Sequence, residues 1–198
     1  MFEELENIRA KCLSCGKCPL CQTRTNVVFS GGTPNPYLVL IGEAPGADED
    51  KQGQPFVGRS GQLLDKILAS VGFFRDKNIY IINTIKCRPP ENRNPSSMEL
   101  QACRGYLEAQ LDILRPKLIV LCGKIALNSF LPEAASISKV RGQFFPGPFN
   151  SQMMPIFHPA YLLRNPSKEV GSPKYLMWQD MKKLRQAYDQ LFLEKSAE

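Results

Sequence analysis

His158 is the one histidine in 198 residues, and it opens the stretch "HPAYLLRNP" (158–166), a loop in which two prolines stiffen a run of apolar side chains. A lone imidazole at the carboxyl end of a strand can hold or move a proton near neutrality; a histidine satisfied by its own loop backbone is the competing reading. Asn83 follows the apolar run "IYII" (79–82) and precedes "KCRPP". An amide on a fixed frame offers a donor and an acceptor, which suits the edge of a nucleobase, or else it caps a turn. The stretch "GEAPGADEDKQGQPFVGRSGQLL" (42–64) sets Phe56 between Pro55 and Val57, with glycines on both sides. Glycines let a backbone approach a ligand, and a helix starting near Gly61 would offer N–H donors to an anion. No Gly-Lys-Ser/Thr closes this loop and the Rossmann spacing is absent, so it is not a nucleotide phosphate loop. A turn-rich loop with a solvated acidic tip is the alternative.

Cysteine supplies a second kind of chemistry. "CLSCGKCPLC" places Cys12, Cys15, Cys18 and Cys21 at intervals of three, and Cys87 and Cys103 lie far along the chain. In a reducing compartment clustered thiols are metal ligands sooner than disulfides. An all-thiolate site suits zinc or an iron–sulfur cluster, and the residues leave that choice open. A self-contained zinc knuckle fits less well, because intervals of three do not make two separated pairs. Cys103 also falls on an apolar helical stripe, and Cys122 ends a buried strand as an ordinary core residue.

These residues need elements to position them. The runs "YLVLI" (37–41), "IYII" (79–82) and "LIVLC" (118–122) lack polar alternation, as strands buried on both faces of a parallel sheet do. "MMPIF" (153–157) is a fourth strand, with Pro155 pointing to an edge. Helical spacing marks 61–71, 97–114 and 174–193, the second started by a capping box from Ser96 to Glu99. Prolines at 34–36, 89–95 and 146–173 mark loops. The fold expected is α/β, a three-layer α/β/α sandwich around a central, mainly parallel four-stranded sheet with right-handed crossovers. Ligands bind beyond the carboxyl ends of such strands, so "GEAPG", "NTIKCRPP", "GK" (123–124) and "HPAYLLRNP" should converge.

A net charge of +6 and a pI near 9.0 favour a polyanionic partner without identifying it. No run approaches the ~20 apolar residues of a membrane helix, and "MFEELENIRA" is acidic where a secretory signal is basic. A cytoplasmic, single-domain protein that binds no membrane is expected.

With these landmarks in order, "CGKC", "GEAPG" with "QPFVGRSGQLL", "NTIKCRPPENRNP" and "HPAYLLRNP", the chain resembles the family-four iron–sulfur uracil-DNA glycosylases of the uracil-DNA glycosylase superfamily. The likeness runs from about Cys15 to Trp178. It implies one uracil-DNA glycosylase domain over 1–198 that flips uracil out of single- or double-stranded DNA, hydrolyses the N-glycosidic bond and leaves an abasic site for base excision repair. By motif match, Cys15, Cys18, Cys87 and Cys103 would ligate a structural [4Fe–4S] cluster that ties the N-terminal segment, about 1–25, to the domain. Cys12 and Cys21 fall outside the pattern.

The same likeness implies roles around the base. Phe56 would stack on the uracil, Asn83 would donate to O4 and accept from N3–H, and His158 with the backbone N–H groups of Gly42, Glu43 and Ala44 would hold charge on O2. Many members of the superfamily carry an aspartate directly after the residue matching Glu43, where this chain has Ala44. Glu43 is therefore the first choice for orienting water and Glu49 the second. Tyr161, Leu162 or Leu163 would wedge into the vacated stack and Arg164 would hold a phosphate, with Arg88, Lys17, Lys86 and Arg93 facing other phosphates. Uracil-containing DNA is the expected partner of a monomer, with a repair protein or sliding clamp at the C-terminal helix as a further candidate. Two other readings fit parts of the sequence: a non-catalytic iron–sulfur DNA-binding damage sensor, and an iron–sulfur electron carrier.

Overall fold

A computed structural model describes residues 1–34 and 37–195; Pro36, in the first proline group, and the last three residues of the expected domain lie outside the described set. The central strands are β2 (Leu38–Gly42), β3 (Tyr80–Asn83), β4 (Leu118–Cys122) and β6 (Gln152–Ile156), with two-residue strands β1 (Gly31–Gly32) and β5 (Phe145–Pro146) at the edges. Their order is β1-β3-β2-β4-β6-β5. The four central strands pair in parallel and the two short ones antiparallel, so the sheet has six strands where four were expected. A two-residue strand is too short to carry a periodic signal. Pro155 sits in the outermost parallel strand, and β5 covers only the beginning of β6, at Gln152 and Met153, which leaves the proline's missing N–H outside the ladder.

Alternate strand residues bury on opposite faces. Leu38, Leu40, Ile81, Val120 and Met154 meet α3 (Arg59–Ala69), α7 (Pro159–Arg164) and α8 (Pro173–Lys195). Val39, Ile41, Ile82, Ile119 and Leu121 meet α1 (Phe2–Leu13), α4 (Ser97–Leu114) and α5 (Lys124–Phe130). Each buried aliphatic side chain contributes roughly 1.5–3 kcal/mol, so both helical layers are held by the sheet. The Ser96 capping box forms as expected: Ser96 Oγ accepts from Glu99 N at 3.3 Å, and Ser96 N donates to Glu99 Oε2 at 2.8 Å.

A buried ion pair fastens the last helix. Arg141, just past α6 (Ile137–Val140), donates from Nε to Asp180 Oδ2 at 2.7 Å and from Nη2 to Oδ1, and Asp180 is fully buried. Removing one partner of such a pair strands the other charge. Asp180→Ala is expected to lower unfolding free energy by about 3–5 kcal/mol, read as a lower urea midpoint. A shift within 0.5 kcal/mol would show that α8 is held by its apolar face alone.

Candidate active site

Three strand ends supply the frame. Gly42, at the end of β2, pairs with Asn83 at the end of β3, and Thr84 N then donates to Gly42 O at 2.9 Å, which fixes the chain entering Glu43. Gly42 has to be glycine: a Cβ there would collide with Asn83 Oδ1 and the Phe56 ring. Phe56 is buried and adopts a left-handed φ of 55°, a strained conformation for an aromatic residue. Its backbone is held from two sides. Arg75 donates to the carbonyls of Pro55 and Phe56 while pairing with Asp65 at 2.7 Å. Glu49 Oε1 accepts from Val57 N and Gly58 N, each at 2.9 Å. Gly61 lets α3 start against the Phe56 carbonyl, where any side chain would overlap it.

Glu43, Phe56, Asn83 and His158 line one cavity of about 570 Å³, together with Ala44, Glu49, Tyr161 and Arg164. Three of the four strand-end stretches expected to converge meet here; of the fourth, Gly123 packs against His158, and Lys124 is not in the cavity lining. Arg93, paired with Glu99, completes the wall from the turn after β3, and the Arg93 guanidinium holds the Glu99 carboxyl down at about 2.

Asn83 is 1% exposed, and its Oδ1 has no hydrogen-bond partner among the described residues. A buried acceptor left unpaired costs about 1–3 kcal/mol, so this oxygen is poised for a donor that the chain does not provide. His158 caps α7: its Nδ1 accepts from Ala160 N at 3.2 Å. An accepting Nδ1 carries no proton, which puts the hydrogen of the neutral ring on Nε2. Burial pushes the imidazole down to about 4, and Arg164 pushes the same way against the Glu49 carboxylate. The ring stands 5.9 Å from that of Phe56. Burial raises the Glu43 carboxyl above its ordinary value.

Several expectations change. The "HPAYLLRNP" stretch is a short helix, where a loop was expected, because Pro159 at its first position and the His158 cap start a turn. Leu162 is fully buried in the core and leaves the set of wedge residues, whereas Tyr161 and Leu163 are each 38% exposed. Lys86 is 1% exposed and cannot face a phosphate; its Nζ donates to Asn83 O at 2.8 Å. The acidic tip is solvated only in part: it folds as α2 (Ala47–Gln52), where Asp48 is exposed, whereas Glu49 closes its loop and Asp50 accepts from Thr25 N at 2.9 Å. Both Glu49 oxygens are engaged, Oε2 by Gly46 N at 3.1 Å. Arg88 Nε donates to Asn92 Oδ1 at 2.8 Å.

A family model described as the uracil DNA glycosylase superfamily matches residues 29–182. The chain is 44% identical to a type-4 uracil-DNA glycosylase of Thermotoga maritima over 85% of its own length and 88% of the other. It is similar to type-4 enzymes of Sulfurisphaera tokodaii (39%, covering 93% and 85%) and Archaeoglobus fulgidus (42%, covering 83% and 86%). The chain belongs to the uracil DNA glycosylase superfamily, within its type-4 family.

Away from this cavity, this glycosylase-family chain gathers six of its seven cysteines. Cys12, Cys15, Cys18 and Cys21 line a small cavity with Cys87 and Cys103, among Arg24, Lys86 and Tyr106. Cys12 and Cys21, outside the motif pattern, therefore share the wall with the other four. Arg24 donates to Cys87 Sγ at 3.2 Å. Among the described residues no three His, Cys, Asp or Glu side chains stand close enough for a single ion. Cys122 is buried in the core, as expected. Among the described residues no helix is long and apolar enough to cross a membrane.

The single histidine makes the protonation state directly readable. A ¹⁵N-histidine NMR titration is expected to show one ring, unprotonated at Nδ1, with its midpoint near 4. Because the folded value lies below the unfolded one of about 6.5, stability falls as pH drops from 6.5 toward 4. A midpoint near 6.5 would make the ring solvent-accessible and unfixed.

Proposed function

We propose that this chain is a monofunctional uracil-DNA glycosylase in base excision repair, acting on uracil turned out of the stack into the 570 Å³ cavity. The observation that carries the reading is the unpartnered, buried Oδ1 of Asn83 in the cavity wall. Uracil N3–H is the donor this oxygen lacks. Cytosine presents a bare N3 acceptor at the same position, so two lone pairs would face each other. Phe56 gives the base a surface to stack on, worth about 1–3 kcal/mol.

His158, neutral and protonated on Nε2, donates to uracil O2 as the C1′–N1 bond lengthens and electrons move onto the base. A water oriented by Glu43 adds its oxygen to C1′ and gives up its proton to the carboxylate, leaving an abasic sugar and a uracil anion. The raised Glu43 carboxyl suits it to take that proton. Glu49 is a positioning residue, since its oxygens hold the loop that carries Phe56. Tyr161 and Leu163 are the exposed wedge, with Arg164 beside them. The sensor reading leaves this constellation unexplained.

The donor set fits an iron–sulfur cluster. Six thiols with Arg24 and the buried Lys86 make a cationic setting for thiolates, and the type-4 family is generally iron–sulfur-linked. Cys15, Cys18, Cys87 and Cys103 would hold a [4Fe–4S] cluster, which supplies a covalent tie between residues 1–25 and the rest of a single domain.

Incubation with a uracil-containing oligonucleotide followed by alkali should give strand breaks at uracil. His158→Ala is expected to slow release about 10²–10³-fold with little change in DNA affinity, the effect of one lost oxyanion donor. Unbroken DNA with folded, iron-loaded protein would reject the activity, and equal losses in rate and affinity would make His158 structural. Cys87→Ser should lose iron, the brown absorption and thermal stability together, while Cys122→Ala keeps the iron and the absorption. Retention of iron by Cys87→Ser would remove Cys87 from the ligand set.

A further inference from the structure

A second cavity, of about 580 Å³, opens on the other side of α7. Its floor is apolar, with Leu63 and Ile67 of α3, Leu162 of α7 and Met177 of α8. Tyr175 and Trp178 form the aromatic part of its wall, and Trp178 is 46% exposed. Three lysines, Lys66, Lys168 and Lys174, also line it, and among the described residues no carboxylate does. Lys182 adds a fourth ammonium 3.7 Å from the Trp178 ring centroid. None of these lysines has an ion-pair partner among the described residues, although Arg75, Arg93, Arg104, Arg141 and Arg185 all do.

Exposed aromatic surface, an apolar floor and unpaired cations on one rim match the chemistry of a single nucleic-acid strand, whose bases stack while its phosphates meet lysines. Position supports the same occupant. Ala160, Tyr161 and Arg164 of α7 face the base cavity while Leu162 of the same helix lines the second one. Along α3, Ser60 borders the first cavity and Leu63 to Ile67 the second, roughly 5–10 Å further on, or about two to three nucleotide rises.

We propose that the cavity between α3 and α8 is a second nucleic-acid site, which receives an unpaired base of the DNA strand flanking the flipped uracil while Lys66, Lys168, Lys174 and Lys182 hold its phosphates. This rests on the glycosylase reading only in taking the strand across α7. The site favours substrates whose flank is unpaired, because a base inside a duplex cannot enter it.

Trp178 is the chain's one tryptophan, so its fluorescence reports the site alone. Titration of the iron-loaded full chain with uracil-free oligothymidylate is expected to quench it saturably. Lys66→Ser with Lys174→Ser should lower the slope of log affinity against log salt by about 1.4, near 0.7 for each lost phosphate contact. Trp178→Ala should weaken binding about tenfold or more. All these variants should still release uracil at the wild-type rate from an oligonucleotide too short to reach past α7. Quenching without uracil release from any substrate would overturn the glycosylase reading and leave this site standing. Unquenched Trp178 in the presence of bound DNA, or quenching by an acidic peptide and not by DNA, would overturn the site.

Discussion

An amide oxygen buried without a donor costs about 1–3 kcal/mol, and this chain keeps one at the end of its second parallel strand. The arrangement holds Asn83 Oδ1 unpaired by denying it alternatives. Its strand is locked in register against Gly42, its backbone carbonyl is taken by the Lys86 ammonium, and the ring of Phe56 fills the space where a neighbouring side chain would stand. Phe56 in turn holds a left-handed backbone, worth of order 1–3 kcal/mol of strain, only because Arg75 and Glu49 bind the peptide groups around it. Two apolar layers, one on each face of the sheet, offset these local costs. Among the polar groups lining this cavity, Glu49, Arg93 and the His158 Nδ1 are committed to partners within the fold, and Asn83 Oδ1 is not.

Lys86 joins the two polar centres of the molecule. Its Nζ donates to the carbonyl of Asn83, and the same side chain lines the cysteine cavity beside Cys12 and Cys103. Burial pushes the Lys86 ammonium down to about 8, and the neighbouring Cys103 and Cys12 pull it back up. The N-terminal segment is therefore linked to the strand that ends in Asn83 through the Lys86 side chain as well as by the chain.

Much of this was legible from the sequence because parallel strands buried on both faces read as unbroken apolar runs, and the residues following them were bound to meet. The strand ends at Gly42, Asn83 and His158 follow from that, the capping box from the Ser96-to-Glu99 spacing, and the grouping of distant cysteines from the motif resemblance. Leu162 was not legible as core, since one turn of helix carries too little periodicity to say which of three consecutive apolar residues faces inward. Lys86 and Glu49 misled for a related reason: a charged residue in a loop reads as solvated until its partners, Asn83 O and three backbone N–H groups, are brought to it by tertiary folding. Arg75 carried no signal, because it acts on peptide carbonyls that any sequence possesses.

The central claim concerns a single hydrogen bond from a base N3–H to Asn83 Oδ1, and inhibition by free bases tests it most directly. Uracil and 3-methyluracil share their carbonyls and stacking surface, but the second carries a methyl group in place of the N3 hydrogen. The account predicts that 3-methyluracil inhibits excision at least tenfold more weakly than uracil, with the difference abolished in Asn83→Ala. Equal inhibition of the wild-type protein by the two bases would contradict it.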